Sequence, residues 1–364
     1  MTPPRFSPEL AQINAYPISD ATGFIKLDAM ENPYPFPPEL MHQLAERLVN
    51  TALNRYPDNQ FSELNTLVYQ KLRIPNSSKL IFGNGSDELI TLITQSITTP
   101  NACVLAPSPS FVMYRFNALL NRVRFLEFEL NSNDFSIEKT CFLNLIQQEK
   151  PSLIWLAYPN NPTGQLFDDQ LIEQVLRLAP DSLVILDEAY QPFAEHTWST
   201  RLPEFENLLV LRTLSKLGLA GIRFGYLAGH DSVISQINKL KPPYNINVLT
   251  KATAELALEH YDLFRAQTDQ INRDRAQLFE QLSKIDQLQV FESHANFLLF
   301  RIKSTNNLAD HIYQRLKNDF RILIKNVSTQ APILHNCLRV SIGTAQENQL
   351  FLTALHQIMS TLPR

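Results

Sequence analysis

Three stretches of the chain share one pattern: SLIWLAYPNNP (152–162), SLVILDEAY (182–190) and NLLVLRTLSK (207–216). Each is an unbroken apolar run that ends abruptly in polar residues. An alternating run makes a strand with one wet face, whereas an unbroken one makes a strand covered on both faces, as in a parallel sheet between helices. Amphipathic segments share the same half of the chain. DDQLIEQVLRLA (168–179) turns Leu171, Ile172, Val175 and Leu176 to one side, and SDELITLITQSI (86–97) does the same with Leu89, Ile90, Ile93 and Ile97. ACVLA (102–106), VRFLEFEL (123–130) and FGYLAG (224–229) are further strand segments. The alternation predicts an α/β fold whose large domain is a mostly parallel sheet flanked by helices.

Lys241-Pro242-Pro243 breaks this rhythm. Beyond it the pattern predicts helices over 246–260 and 262–284, a strand over 290–302 and a helix over 307–320. Short strands near ILIKNV and CLRVSIG and a last helix over 345–361 complete a smaller α+β C-terminal domain. The proline-rich start reads as an N-terminal arm. The expected division is an arm over 1–29, a large domain over 30–245 and a small domain over 246–364. A length of 364 residues suits two domains, since single cores stop growing near ~250–300 residues.

Composition removes several classes of function. The formal charge is −4, and the 19% of charged residues form no block of one sign. That leaves no electrostatic footprint for nucleic acid. No apolar run approaches the ~18–20 residues that span a bilayer, and MTPPRFSPEL lacks the apolar stretch of a signal peptide. The expectation is a cytoplasmic protein bound to neither membrane nor nucleic acid. Cys103, Cys141 and Cys337 are odd in number and far apart, without metal-ligand spacing. They are expected to be packing thiols, and no metal is expected.

The polar residues at the strand ends carry the chemistry, because parallel sheets bind ligands beyond the carboxyl ends of their strands. GNGSDE (83–88) reads either as a capped helix start or as an anion site at a helix N-terminus. It departs from the dinucleotide fingerprint, with Glu88 where a third glycine belongs. PNNPTGQ (159–165) is either a tight connection or a turn aiming two asparagines at a ligand. Asp187 follows an apolar run, so it should be buried and need a donor or cation. Lys216 follows another such run in an uncharged stretch, where desolvation lowers a lysine's pKa and makes it a usable nucleophile. Arg223 is a permanently charged anion clamp. A lysine, a buried acid, asparagine donors and an anion cradle together match the needs of pyridoxal phosphate.

At these residues the chain resembles the fold-type I pyridoxal-phosphate aminotransferases, and among them the histidinol-phosphate aminotransferases. The matching stretches are LDAMENPYP (27–35), LNRYP (53–57), GNGSDE, PSFVMY (109–114), PNNPTGQ, DEAY, RTLSK, GLAGIRFGY, SHANFLL (293–299) and CLRVSIGT (337–344). The resemblance implies that Lys216 forms the imine with the cofactor and later moves the substrate's α-proton. It implies that Asp187 pairs with the pyridine nitrogen, that Tyr190 and Asn161 donate to the phenolic oxygen, and that Phe111 stacks on the ring. Ser86, Asp87, Ser215 and Arg223 would hold the cofactor phosphate. Tyr56 would reach that phosphate from a second subunit, implying a homodimer with shared active sites. Arg339 and Lys325 would bind the substrate's anionic end. Tyr16 and Tyr34, by their place in the N-terminal region, are the candidates to close over its imidazole. The implied reaction converts L-histidinol phosphate and 2-oxoglutarate to imidazole-acetol phosphate and L-glutamate. An aromatic amino-acid aminotransferase, or a decarboxylase of a phosphorylated amino acid, is the alternative of the same fold. Three positions depart from the common pattern. Phe111 replaces a tyrosine, Met30 an asparagine, and Lys325 an arginine, which keeps the charge but loses the bidentate fork.

Overall fold

A computed structural model describes Leu10, residues 20–58 and residues 61–361. In chain order the first elements are β1 (Ile25–Lys26), α1 (Met41–Val49), α2 (Ser62–Lys71), β2 (Lys79–Asn84), α3 (Ser86–Ser96), β3 (Cys103–Ser108), α4 (Val112–Leu120), β4 (Arg124–Glu129), α5 (Lys139–Glu149), β5 (Leu153–Ala157), α6 (Asp169–Leu178), β6 (Leu183–Asp187), β7 (Leu208–Thr213), β8 (Phe224–Gly229) and α7 (Asp231–Asn238). There follow α8 (Val248–Glu259), α9 (Tyr261–Ser283), β9 (Leu288–Val290), β10 (Phe297–Ile302), α10 (Ala309–Phe320), β11 (Ile322–Leu323), β12 (Lys325–Asn326), β13 (Cys337–Ser341) and α11 (Ala345–Ser360).

Seven strands form the large sheet in the order β2-β8-β7-β6-β5-β3-β4. The strands from β7 to β4 run parallel, and β8 is antiparallel to both its neighbours. β5 and β7 are buried along their whole length, as their unbroken apolar runs require. The edge strand β4 is more exposed. Register places Ala157 beside Asp187 and Asp187 beside Leu211. The carboxyl ends of β5, β6 and β7 therefore share one edge. β2, which is parallel to them, delivers the N-terminus of α3 to the same edge.

The second sheet is antiparallel, in the order β12-β13-β10-β9. Phe297, Phe300, Phe351 and Leu355 lie in its core with Ile271 and Leu278 of α9. A capping box between Thr344 and Glu347 starts α11. The expected single strand over 290–302 is two strands parted by residues 291–296. That break is set by tertiary contacts. The His294 N–H donates to the Gly164 carbonyl at 2.7 Å, and Asn296 Nδ2 donates to the Met30 carbonyl at 2.9 Å. A Cβ on Gly164, at φ +79°, would stand 2.3 Å from Ser293 Oγ.

Two contacts join the parts of the molecule. β1 pairs with β11, and the Leu27 carbonyl accepts the Ser341 N–H at 2.9 Å, so this segment extends the small unit. α8 packs on α1 and α2, and its buried apolar residues Ala254, Leu256, Ala257 and Leu258 belong to the core beneath the large sheet. Of the three thiols, Cys103 and Cys337 are buried but Cys141 is exposed, because it lies at the start of the amphipathic helix α5, outside its buried face.

Candidate active site

The strand ends enclose a cavity of about 120 Å³. Its lining includes Lys216, Asp187, Asn161, Tyr190, Phe111, Ser215, Arg223, Ser86 and Asp87. Lys216 lies in the irregular connection between β7 and β8. Its Nζ donates to the Ala29 carbonyl at 3.2 Å and sits 5.8 Å from the centre of the Tyr190 ring. Burial pushes its ammonium down to about 8, and the Arg339 charge acts in the same direction. A lysine of that pKa offers a useful fraction of free amine near neutral pH.

Asp187 ends β6 and is 5% exposed. Its Oδ2 accepts the Tyr114 hydroxyl at 2.6 Å, and its Oδ1 accepts the Ala189 N–H at 3.1 Å. Burial raises its carboxyl to about 6, while these two donors pull it down. The next residue serves another purpose, because successive side chains of an extended segment point to opposite sides. Glu188 Oε2 accepts Arg212 Nε at 2.8 Å, and Glu188 Oε1 accepts the Trp198 N–H at 2.6 Å. Only the first acid of DEAY faces the cavity.

The anion end is built around α3. Gly85 is its N-cap, and no side chain caps it. The capped start allowed by the motif is therefore absent, and the first backbone N–H groups of the helix lack intrahelical partners. Arg223, in the left-handed region, lies against this turn and pairs with Asp87 at 2.9 Å. Two missing side chains make the approach possible. A Cβ on Gly85 would stand 2.5 Å from Arg223 Nη2, and one on Gly225 would stand 2.6 Å from the Ser86 N. Ser215 Oγ is 2.9 Å from Thr213 Oγ1 on the same side of the cavity.

Only one of the two neighbouring asparagines reaches the cavity. Asn160 is held inside its own turn, donating to the Pro109 carbonyl at 3.1 Å and to Thr163 Oγ1 at 3.0 Å. The Asn161 side-chain oxygen accepts from Arg339 Nη1, and Arg339 Nη2 donates to the Asp28 carbonyl at 2.9 Å. Lys325 stands directly across the strand pair from Arg339. Burial and the Arg339 charge both lower its pKa. Two cations side by side make a site for an anion.

Phe111 precedes α4 and meets the Tyr114 ring edge-on at 5.6 Å. Tyr56 lies outside the cavity on an outer face, 79% exposed and stacked on Tyr244 at 4.4 Å. Tyr16 lies outside the described residues. Tyr114 and Thr213 line the cavity without having been singled out in the sequence. The one signal for Tyr114 was its place one helical turn after Phe111.

This donor set fits pyridoxal phosphate. An amine, a buried carboxylate and an amide face one space, with a helix N-terminus and an arginine at its anionic end. Among the described residues no group of three or more His, Cys, Asp or Glu could hold a metal ion.

The model of the family Aminotransferase class I and II matches residues 22–355. Histidinol-phosphate aminotransferase 1 of Ralstonia nicotianae is 45% identical over 359 residues, covering 98% of this chain and 94% of that protein. The chain belongs to the histidinol-phosphate aminotransferases of that family. The histidinol-phosphate aminotransferase of Chromobacterium violaceum is also 45% identical, over 96% of each chain. Among solved structures, the histidinol-phosphate aminotransferase of Sinorhizobium meliloti in complex with pyridoxal-5'-phosphate is 20% identical. Its TM-score is 0.86, over 99% of this chain and 98% of that one, which establishes a shared fold. Family membership accounts for the paired architecture, a large mostly parallel sheet beside a small antiparallel one.

Proposed function

We propose that this protein transfers the amino group of L-histidinol phosphate to 2-oxoglutarate, giving 3-(imidazol-4-yl)-2-oxopropyl phosphate and L-glutamate, with pyridoxal phosphate as cofactor. The carrying observation is the lysine at 216, with a pKa near 8, sharing a cavity with a carboxylate that ends the neighbouring strand. Bound there, the cofactor supplies an aldehyde for amines and a ring that withdraws electrons from the substrate's α-carbon. Lys216 Nζ would move the proton between that carbon and the cofactor's C4′ carbon. Asp187 holds the proton on the ring nitrogen by its opposite charge. Asn161 and Tyr190 orient the ring's oxygen, Phe111 covers its face, and Ser86, Asp87, Ser215 and Arg223 hold the phosphate.

The second anion site suits a reaction with two substrates. Arg339 and Lys325 can accept the phosphate of one substrate and the carboxylate of the other in turn. Tyr16 is assigned to the imidazole side. Tyr56 is assigned to the phosphate of a partner's cofactor, in a homodimer with shared active sites. In support, Val49 is 84% exposed and Leu53 70%. They lie in the same stretch as Tyr56, whose surroundings form a concavity of about 710 Å³. Clustered exposed apolar side chains mark association surfaces. The division into an arm (1–29), a large unit (30–245) and a small unit (246–364) is part of the proposal, with α8 bridging its second boundary. The place of work is the cytoplasm, and among the described residues no helix is long and apolar enough to cross a membrane.

The test is a half-reaction followed by absorbance. Histidinol phosphate should convert the bound cofactor to its amine form far more efficiently than phenylalanine or tyrosine. Faster conversion by the aromatic amino acids, or release of carbon dioxide, would overturn the substrate assignment.

A further inference from the structure

The acid assigned to the cofactor ring is held from behind by a tyrosine. The Tyr114 hydroxyl, on α4, is 2.6 Å from Asp187 Oδ2, and the residue is 1% exposed. Its ring lies flat on Trp155 of β5, with centroids 4.5 Å apart and planes 5° apart. Phe111 closes against it from the cavity side. A ring clamped in this way cannot swing its hydroxyl elsewhere without breaking a stack.

We propose that Tyr114 is a positioning residue of the transamination site: its hydroxyl keeps the Asp187 carboxylate ionised and aimed into the cavity, ready for a protonated ring nitrogen. A carboxylate in an apolar setting drifts toward its neutral form. Burial, the Asp87 charge on α3 and the adjacent Glu188 all drive Asp187 that way. The Tyr114 hydroxyl and the Ala189 N–H oppose them. The backbone donor is present whatever the sequence, so the side-chain donor is the selectable one. Tyr114 stays a donor because burial, with the charges of Asp187 and Tyr190, holds its own ionisation well above the usual phenol range. A phenylalanine would fill the same space and keep both ring contacts. What the hydroxyl adds is therefore this one bond.

The proposal rests on the cofactor assignment above only in its binding arm. The test uses the full chain as Y114F, with Ile146→Ala in the remote helix α5 as a control for lost stability. The Asp187 carboxyl is titrated by carbon-13 NMR without cofactor, its signal assigned through Asp187→Asn, and pyridoxal phosphate affinity is read by fluorescence quenching. Y114F should raise the Asp187 midpoint by about one to two pH units and weaken cofactor binding about tenfold or more. Ile146→Ala should melt earlier and change neither reading. Native midpoint and native affinity in Y114F would overturn the proposal. If Y114F does not fold, 3-fluorotyrosine at 114 keeps the shape and strengthens the donor, so the midpoint must fall. An unmoved midpoint would then overturn the proposal. A native protein that fails to bind pyridoxal phosphate would overturn the cofactor assignment, and the titration would still decide the role of Tyr114.

Discussion

Arg339 on β13 donates to the side-chain oxygen of Asn161, which follows β5, so one hydrogen bond links the small sheet to the cavity at the strand ends. The guanidinium takes up the amide oxygen of Asn161, whose side chain also lines the cavity. The residue assigned to the substrate's anion thereby orients a residue assigned to the cofactor.

Replacing Arg339 should affect both ligands. Arg339→Met is expected to raise KM for histidinol phosphate at least tenfold, since a charged hydrogen bond contributes about 1.5–3 kcal/mol. It should also shift the absorbance of the bound cofactor, because Asn161 loses its anchor. Steady-state kinetics and a visible spectrum of the same preparation check both effects.

Lys216→Ala should stop turnover while leaving the phosphate contacts in place. Borohydride reduction followed by mass spectrometry should find the cofactor adduct at residue 216 in the native chain and none in the variant.

Acidity sets when that lysine can react. With its pKa lowered to about 8 from 10.5, uptake of pyridoxal phosphate should accelerate through pH 8 and level off above it, as followed by stopped-flow absorbance. Stability of the cofactor-free chain should carry two opposite slopes. Asp187 is raised from 3.8 to about 6, so the folded chain holds its proton more tightly than the unfolded one. Its contribution is complete below pH 3.8 and is lost as pH rises to about 6, a change on the order of 3 kcal/mol. Lys216 is lowered, so its penalty is relieved between about pH 8 and 10.5. Denaturant melts of Asp187→Asn and Lys216→Met across pH should each lack one slope.

Gly225 should tolerate no side chain. A methyl group there would press on the Ser86 N at 2.6 Å and displace the helix end assigned to the cofactor phosphate. Gly225→Ala is expected to bind pyridoxal phosphate at least tenfold more weakly, measured by equilibrium dialysis, with the far-ultraviolet spectrum unchanged.

Behind the site, Arg212 uses all its N–H groups on Glu188, Leu72, Tyr226, Thr197 and Ser199. Arg212→Met should destabilise by about 3–5 kcal/mol, since it strands a buried carboxylate. Adding Glu188→Met should recover at least half of that loss in a urea melt.

Much of this was legible because parallel strands declare themselves as unbroken apolar runs, and their polar ends name the site. Asp187, Asn161 and Lys216 were readable as strand-end residues on that ground alone. The reversed direction of β8 was not, since FGYLAG is equally apolar in either direction. The roles of Glu188 and Asn160 were hidden because adjacent residues in one motif face different surroundings. Tyr114 met Asp187 only through the pairing of α4 with the sheet, 73 residues apart in sequence. The break at 291–296 arises from contacts with Gly164 and Met30, which no local pattern encodes.

The pairing of β1 with β11 has a mechanical result. Met30 N–H is tied to Ser341 Oγ at 2.8 Å, and the Ala29 carbonyl receives the Lys216 amine. The roof over the lysine is therefore bolted to β13, and any rocking of the small unit must lift or lower that roof with it.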